Sequence, residues 1–282
     1  MNAPIPSLPS FTGKVEVRPT FTPRPRISHV VFDFDGTLSW VRHGWPELMF
    51  AVFRKYLPVL AGETSEQTQA VLDEIVFGLN GRPSVVQMQR FAEVVIERGG
   101  PKYDAAALRE EFQEMLDLDI SARLAQIRGG EVPPDAFVVH AGRALLEHLR
   151  STGLTLIILS STVEHRVKEE AEALGLTEYF GRHIYGSPEN PAGYLKKDVF
   201  ERLMREEGIS GENLLSFGDG PVEIISTKEL GGLAIAVCSD ENVNGSGIMD
   251  AFKRRQLLGA GADAVIPDFR DAPPLVDYLL AK

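Results

Sequence analysis

The stretch HVVFDFDGTLSW, residues 29–40, decides how the rest of the chain is read. Val30, Val31 and Phe32 form a short apolar run, and two aspartates, Asp33 and Asp35, follow it with Gly36 directly after the second. An apolar run closed by a turn signal reads as a buried strand. Side chains alternate along a strand, so Asp33 and Asp35 emerge on one side, close enough to repel when both are ionised. Something must offset that repulsion. A divalent cation is the simplest candidate, because carboxylate oxygens are the ligands Mg²⁺ prefers and its charge removes the like-charge penalty.

Working outward from this first strand, at about residues 28–34, similar runs recur at LTLIILS (154–160), RHIYGS (182–187), NLLSFG (213–218), GLAIAVC (232–238) and ADAVIP (262–267). Helical patterns lie between them, for instance Val163 to Leu174 closed by Gly175, and Val199 to Glu207 closed by Gly208. Strand and helix in repeated alternation imply an α/β fold, a doubly wound parallel sheet covered on both faces. Ligands of such sheets bind beyond the carboxyl ends of the strands, where Asp33 and Asp35 sit.

Residues 41–135 break the alternation. WPELMFAVFRKYL, SEQTQAVLDEIVFGL, SVVQMQRFAEVVIERGG and DAAALREEFQEMLDLDISARLAQI carry apolar residues at helical spacing, and no strand of comparable strength appears. The expected organisation is a helical module inserted after the first strand, with Pro133 and Pro134 marking the return to a core of residues 27–40 and 136–282. Residues 1–26 hold Pro4, Pro6, Pro9, Pro19, Pro23 and Pro25 and read as an extended arm outside the core.

Composition sets the outer bounds. The 282 residues are 44% hydrophobic and 24% charged, as in an ordinary globular chain with room for one large core and an insertion. A formal net charge of −11 argues against nucleic acid or an anionic membrane surface as the main partner. No run approaches the roughly 18 apolar residues of a membrane span, and no apolar segment of signal-peptide type opens the chain, so a cytoplasmic protein is expected. The single Cys238 excludes an intramolecular disulfide and reads as part of a buried strand. The six histidines show no metal-ligand spacing.

Four separated pieces converge if each lies at a strand's carboxyl end: DFDGT (33–37), ILSS (158–161), a lysine in YLKKDVF (194–200) and FGDGPVE (217–223). Each alone is ordinary, since DGT and GDG are common turns and paired lysines are usually solvated. In this order and on strands of this type, the chain resembles the haloacid dehalogenase superfamily of phosphohydrolases. That family's pattern is D-x-D-G-T, a strand ending in Ser or Thr, a Lys, then G-D-x-x-x-D. The one departure is Glu223 in place of the last aspartate.

The resemblance implies a Rossmann-like core with a helical cap. It also implies a Mg²⁺-dependent phosphatase acting on a small phosphorylated metabolite, with a sugar or cyclitol phosphate the first expectation. Asp33 is then the nucleophile that forms an aspartyl phosphate, and Asp35 the general acid and base. Mg²⁺ is held by Asp33, the backbone carbonyl of Asp35 and Asp219, with Glu223 in a supporting or water-mediated place or salt-bridged to the lysine. Ser160 and Ser161 with following backbone N–H groups bind phosphate, helped by the helix starting near Val163. Of the two lysines, Lys196 lies one turn ahead of the apolar face Val199, Phe200 and Leu203 and is the expected partner, with Lys197 its solvated neighbour. In the insert, Arg42 and Trp45 are the candidate substrate contacts, with Arg82 and Lys102 weaker ones. The alternatives are a phosphomutase of the same superfamily and a non-catalytic module that keeps only the fold. Oligomeric state is not legible in the sequence.

Overall fold

The computed structural model describes residues 8–79, 82–189 and 195–281. Residues 1–7 of the proline-rich segment, Gly81 before Arg82, and Tyr194 of the lysine motif lie outside these described residues. The chain divides into two compact units, one running to Val41 and resuming at Gln126, the other from Arg42 to Ala125.

The first unit is built on one mostly parallel sheet. Its strands are β1 (Glu16–Val17), β2 (His29–Phe32), β3 (Thr155–Val163), β4 (Ile184–Ser187), β5 (Leu214–Gly218), β6 (Leu233–Val237) and β7 (Ala264–Ile266). They lie in the order β1-β7-β6-β5-β2-β3-β4, and every pair is parallel except β1 with β7. Thus β2 is central: Phe32 is in register with Ile158 on one side and Phe217 on the other. The chain runs from β2 outward through β3 and β4, then crosses to the far side of β2 at β5. Such a reversal opens a crevice at the strands' carboxyl ends, which places the residues after β2, β3 and β5 around one point.

Alternation along β2 divides the core into two layers. Val31 packs with Ile157, Leu159, Leu214 and with Val199, Phe200 and Leu203 of the helix Lys196–Glu206. Phe32 faces the other way, stacked on Phe217 at 5.0 Å and edge-on to Phe180 at 6.1 Å and Phe269 at 6.2 Å. Aromatic pairs in these geometries add about 0.5–1.5 kcal/mol each beyond their area burial. The strand whose sequence raised the question of two aspartates is therefore among the most tightly held in the molecule. Its continuation on the Val31 side carries Asp33 toward the helix that begins with Lys196.

Three boundaries differ from the sequence reading. β3 runs to Val163 rather than ending at Ser160, so its last hydroxyl residues remain on the pleat. The insert gives way to the core unit at Gln126, ahead of the two prolines, because the helix Ala105–Arg128 carries straight through the division. The described part of the proline-rich segment, residues 8–26, is not a detached arm. Glu16 and Val17 pair with Val265 and Ala264, Thr12 N and Gly13 N donate to the Asp271 carboxylate at 2.8 and 2.7 Å, and Phe21, 2% exposed, stacks on Tyr278 at 5.9 Å. A proline-rich composition demands extended backbone, and an edge strand is extended backbone that has found a partner.

The second unit contains the helices Trp45–Tyr56, Ser65–Val76 and Ser84–Glu97 and the start of Ala105–Arg128. Thr64 and Gln67 form a capping box, Thr64 Oγ1 accepting from Gln67 N at 3.2 Å and Gln67 Oε1 from Thr64 N at 2.9 Å. Its own core holds Phe53 stacked on Phe91 at 4.0 Å, and Met49, Leu72, Met88 and Val95 of the same unit are buried as well. No helix of the described residues is long and apolar enough to cross a membrane.

Candidate active site

Asp33 follows β2 directly and is held from two directions. Its backbone N–H donates to Phe217 O at 2.9 Å, and its Oδ1 accepts from Phe34 N and from Lys196 Nζ, both at 2.8 Å. Lys196 opens its helix on the side of Val199 and Phe200 and is only 4% exposed. Its ammonium also pairs with Glu223 Oε1 on the helix Pro221–Glu229. Lys197, one residue on, is half-buried and reaches Glu229 Oε2 at 2.5 Å. Burial pushes the Asp33 carboxyl well above the usual carboxylate range; Lys196 opposes this, while Glu223 and Asp219 add to it. Burial pulls the Lys196 ammonium toward neutrality, but Asp33 and Glu223 more than reverse it, so the lysine stays charged.

Asp35 is turned to β3. The chain reverses after it through Gly36, at φ +74°, with Leu38 N and Ser39 N donating to Phe34 O at 2.9 and 2.8 Å. Asp35 Oδ2 accepts from Thr162 Oγ1 at 2.7 Å and from Ser160 Oγ at 3.3 Å, and Ser160 Oγ in turn accepts from Thr162 N at 3.0 Å. Ser160 and Thr162 share a side of the strand, and Ser161 lies on the other, exposed. The β3–β4 pairing shifts register between Leu159 and Val163, the kind of irregularity that re-aims side chains at a strand end. Ser160, expected on phosphate, thus has its hydroxyl on the acid, and Thr162 is a site residue that the sequence reading misses. The period-2 alternation continuing from Ser160 is the signal that could find it.

Asp219 follows β5. Its Oδ1 accepts from Thr37 Oγ1 at 3.4 Å, and its Oδ2 from Lys253 Nζ at 3.0 Å. The turn after Asp35 lies directly against it: a Cβ on Gly36 would sit 2.2 Å from Asp219 Oδ2, so only glycine serves there, for closeness as well as for its positive φ. Burial raises the Asp219 carboxyl to about 6, with Lys253 opposing and Glu241 adding. Lys253 is a second residue that the sequence reading misses. Cys238, the one thiol, is buried, and burial pushes it well up, as for an inert strand-end cysteine.

The donors present allow a test of whether a divalent cation fits. Among the described residues no three of His, Cys, Asp and Glu converge closely enough to hold a metal by side chains alone. The expected set, Asp33 and Asp219 with the backbone carbonyl of Asp35 and Glu223 in a supporting or lysine-bridged place, does not require one, and Glu223 is found paired with the lysine. Asp35 has turned its carboxylate to Ser160 and Thr162, and Glu223 gives Oε1 to Lys196 while its buried Oε2 has no hydrogen-bond partner. Asp33 and Asp219 remain. Each shares its ammonium partner with a second acid, Glu223 or Glu241, so these four carboxylates outnumber the two lysines. The two acids whose proton affinity burial raises most plainly are these same two. Mg²⁺ is characteristically held by one or two carboxylates, its other positions going to water and substrate phosphate. The residues fit it on those terms, with Asp33 and Asp219 as the side-chain ligands.

Arg42 and Trp45 belong to the second unit. Trp45 is the first residue of the helix Trp45–Tyr56 and, like Arg42, is half-buried. Lys102 lines an open depression of about 580 Å³ in the same unit, with Ile96 and Tyr103.

The core is a doubly wound α/β fold with a group of acids gathered at the carboxyl ends of its strands. The model of the haloacid dehalogenase-like hydrolases matches residues 27–231, and the chain belongs to that family. Solved structures agree on the fold. A conserved haloacid dehalogenase-like protein of unknown function from Agrobacterium tumefaciens is 18% identical with a TM-score of 0.62, over 91% of this chain and 100% of its own. A predicted phosphoglycolate phosphatase from Haemophilus somnus is 16% identical with a TM-score of 0.56, over 89% and 98%. A family hydrolase from Deinococcus radiodurans, solved with bound phosphate and sodium, is 17% identical with a TM-score of 0.58, over 91% and 98%. No curated protein matches the chain.

Proposed function

We propose that the protein is a Mg²⁺-dependent phosphatase of the cytoplasm that hydrolyses a small phosphorylated metabolite, a sugar or cyclitol phosphate, through an aspartyl phosphate. The observation that carries this is the paired placement of the two aspartates: Asp33 on a buried lysine, Asp35 two residues later on two hydroxyls of the neighbouring strand. In this reading Asp33 attacks the phosphorus, with Oδ1 pinned by Phe34 N and Lys196 and Oδ2 presented as the attacking atom. The bond from phosphorus to the leaving oxygen breaks, and Asp35 gives that oxygen its proton. Asp35 then takes a proton from water, the water attacks phosphorus, and the bond to Asp33 breaks to release phosphate. Ser160 and Thr162 hold Asp35 in place through both half-reactions. The Lys196 ammonium balances charge on Asp33 and on the transferring group, where most phosphoryl-transfer catalysis resides. Bound Mg²⁺ supplies further positive charge to the phosphoryl oxygens.

A fold relative that was solved with bound phosphate is in keeping with a phosphoryl group as the bound moiety. Phosphate release from a panel of sugar, cyclitol and other small phosphomonoesters, with Mg²⁺ and with chelator, tests the reading. Mg²⁺-dependent release that Asp33→Asn abolishes is expected. No release from any monoester would overturn the phosphatase reading. Conversion of a sugar phosphate to its positional isomer, without phosphate release, would replace it with a phosphomutase.

A further inference from the structure

After β6 the chain runs through Cys238, Ser239, Asp240 and Glu241 before Asp250 caps the helix Ala251–Gly259, accepting from Lys253 N at 2.7 Å. Asp250 N donates to Cys238 O at 2.9 Å and closes the loop at its base. From the first turn of this helix the Lys253 side chain reaches back to the carboxyl end of the sheet. Its ammonium donates to Asp219 Oδ2 at 3.0 Å and to Ser239 Oγ at 3.4 Å, and pairs with Glu241 Oε1. Ser239 Oγ donates to the Gly36 carbonyl at 3.1 Å, so one network joins the turn after Asp35 to the acid after β5. Lys253 is 6% exposed. A buried ammonium persists only where it is paired, and one of this lysine's two carboxylates is a ligand in the metal reading. The match to the family model ends at residue 231, so Lys253 and Glu241 lie beyond the stretch by which the family is recognised. No step of the proposed reaction uses either.

Resting on the reading of Asp33 and Asp219 as metal ligands, we propose that Lys253 is a tethered counter-ion of the metal site. It neutralises Asp219 when no metal is bound and lowers the site's affinity for Mg²⁺, and Glu241 sets how much of its charge Asp219 feels. An ammonium and a divalent cation on one carboxylate repel each other, and at this range inside a protein the repulsion is only partly screened. Glu241 draws the ammonium the other way. The two residues therefore act with opposite signs. Lys253→Met removes the competing charge and tightens Mg²⁺ binding. Glu241→Gln leaves the ammonium wholly to Asp219 and weakens it. A lysine that merely propped up the loop would shift both variants in the same direction.

Isothermal titration of Mg²⁺ into the metal-free full-length protein tests this with wild type, Lys253→Met, Glu241→Gln and Asp219→Asn. The Kd of Lys253→Met is expected to fall by at least about tenfold, and that of Glu241→Gln to rise by about threefold or more. Asp219→Asn is expected to abolish binding. An unchanged or weaker affinity in Lys253→Met with a native circular dichroism spectrum overturns the assignment of Lys253. If that variant does not fold, Glu241→Gln decides, and an unchanged or tighter affinity there overturns the assignment equally. Loss of binding in Asp219→Asn without opposed shifts in the other two overturns only the counter-ion role. Undiminished binding in Asp219→Asn overturns the metal reading itself and this inference with it.

Discussion

Lys196 and Lys253 both end in buried ammonium groups shared by two carboxylates, yet they serve different acids. Lys196 lies between Asp33, the proposed nucleophile, and Glu223, whereas Lys253 lies between Asp219, a proposed metal ligand, and Glu241. Each sits in the first turn of a helix that connects two strands of the parallel sheet. One lies within the stretch that matches the family and the other past its end. The comparison teaches that a pocket of like charges at a strand switch point can be stabilised twice by the same device. One copy of it serves the proposed nucleophile, and the other balances a proposed metal ligand.

The hardest blow to the Lys196 side is to remove its nucleophile. Asp33→Asn is expected to lower turnover by more than about 10³-fold with an unchanged circular dichroism spectrum. Residual activity above that level would move the nucleophile elsewhere and remove the distinction between the two centres. Next in size is Lys196→Met. It should cost about 10²–10³-fold in kcat, the usual worth of one positioned charge or donor in an acyl- or phosphoryl-transfer site. It should also lower stability by about 3–5 kcal/mol, because it leaves two buried carboxylates without their cation. The kcat loss should not be recovered by raising Mg²⁺. Recovery in steady-state assays across a Mg²⁺ series would mean that Lys196, like Lys253, acts through the metal.

Proton uptake sharpens the Lys253 side. In the folded, metal-free protein Asp219 takes its proton near pH 6, against an ordinary value of 3.8. Between those values the folded state binds more protons than the unfolded chain, so this group makes stability fall as pH rises from about 4 to about 6. The change is about 3 kcal/mol if Asp219 acts alone. Thermal melts of wild type and Asp219→Asn across that range, with chelator present, should show a shallower decline in the variant. Parallel slopes would show that Lys253 already compensates Asp219 in full. The smallest expected effect is at Glu223. Glu223→Gln frees Lys196 of one partner and should cost about tenfold in kcat, in line with a residue that acts through another and not on substrate. A loss as large as that of Asp33→Asn would place Glu223 among the reacting groups.

Much of the site is legible in the order of residues alone. Asp33 and Asp35 announce themselves because a buried strand cannot end in two carboxylates without a chemical reason. Lys196 is preferred over Lys197 because helical periodicity puts it on the side of Val199 and Phe200, where it is found buried. Thr162 escapes a reading that ends β3 at Ser160. The alternation of Ser160 and Thr162 is compatible with a continued strand, but it is the pairing with β4 that carries the pleat on to Val163. Glu16 and Val17 escape for a similar reason, since two residues make a strand only when β7 offers an edge.

The sequence by itself determined the alternation of strand and helix, and hence a parallel sheet. It also determined the order of four motifs, and hence the acids and the lysine that meet at its carboxyl end. These are local matters of period, turn chemistry and charge. The tertiary structure alone decided which hydroxyls hold Asp35, that Glu223 faces Lys196, and that Lys253 comes within hydrogen-bond reach of Asp219. Those pairings join residues far apart along the chain through strand order and helix packing. A lysine in DAFKRR looks like any solvated helix lysine until the fold brings two carboxylates to it. Burial then leaves it no other way to keep its charge.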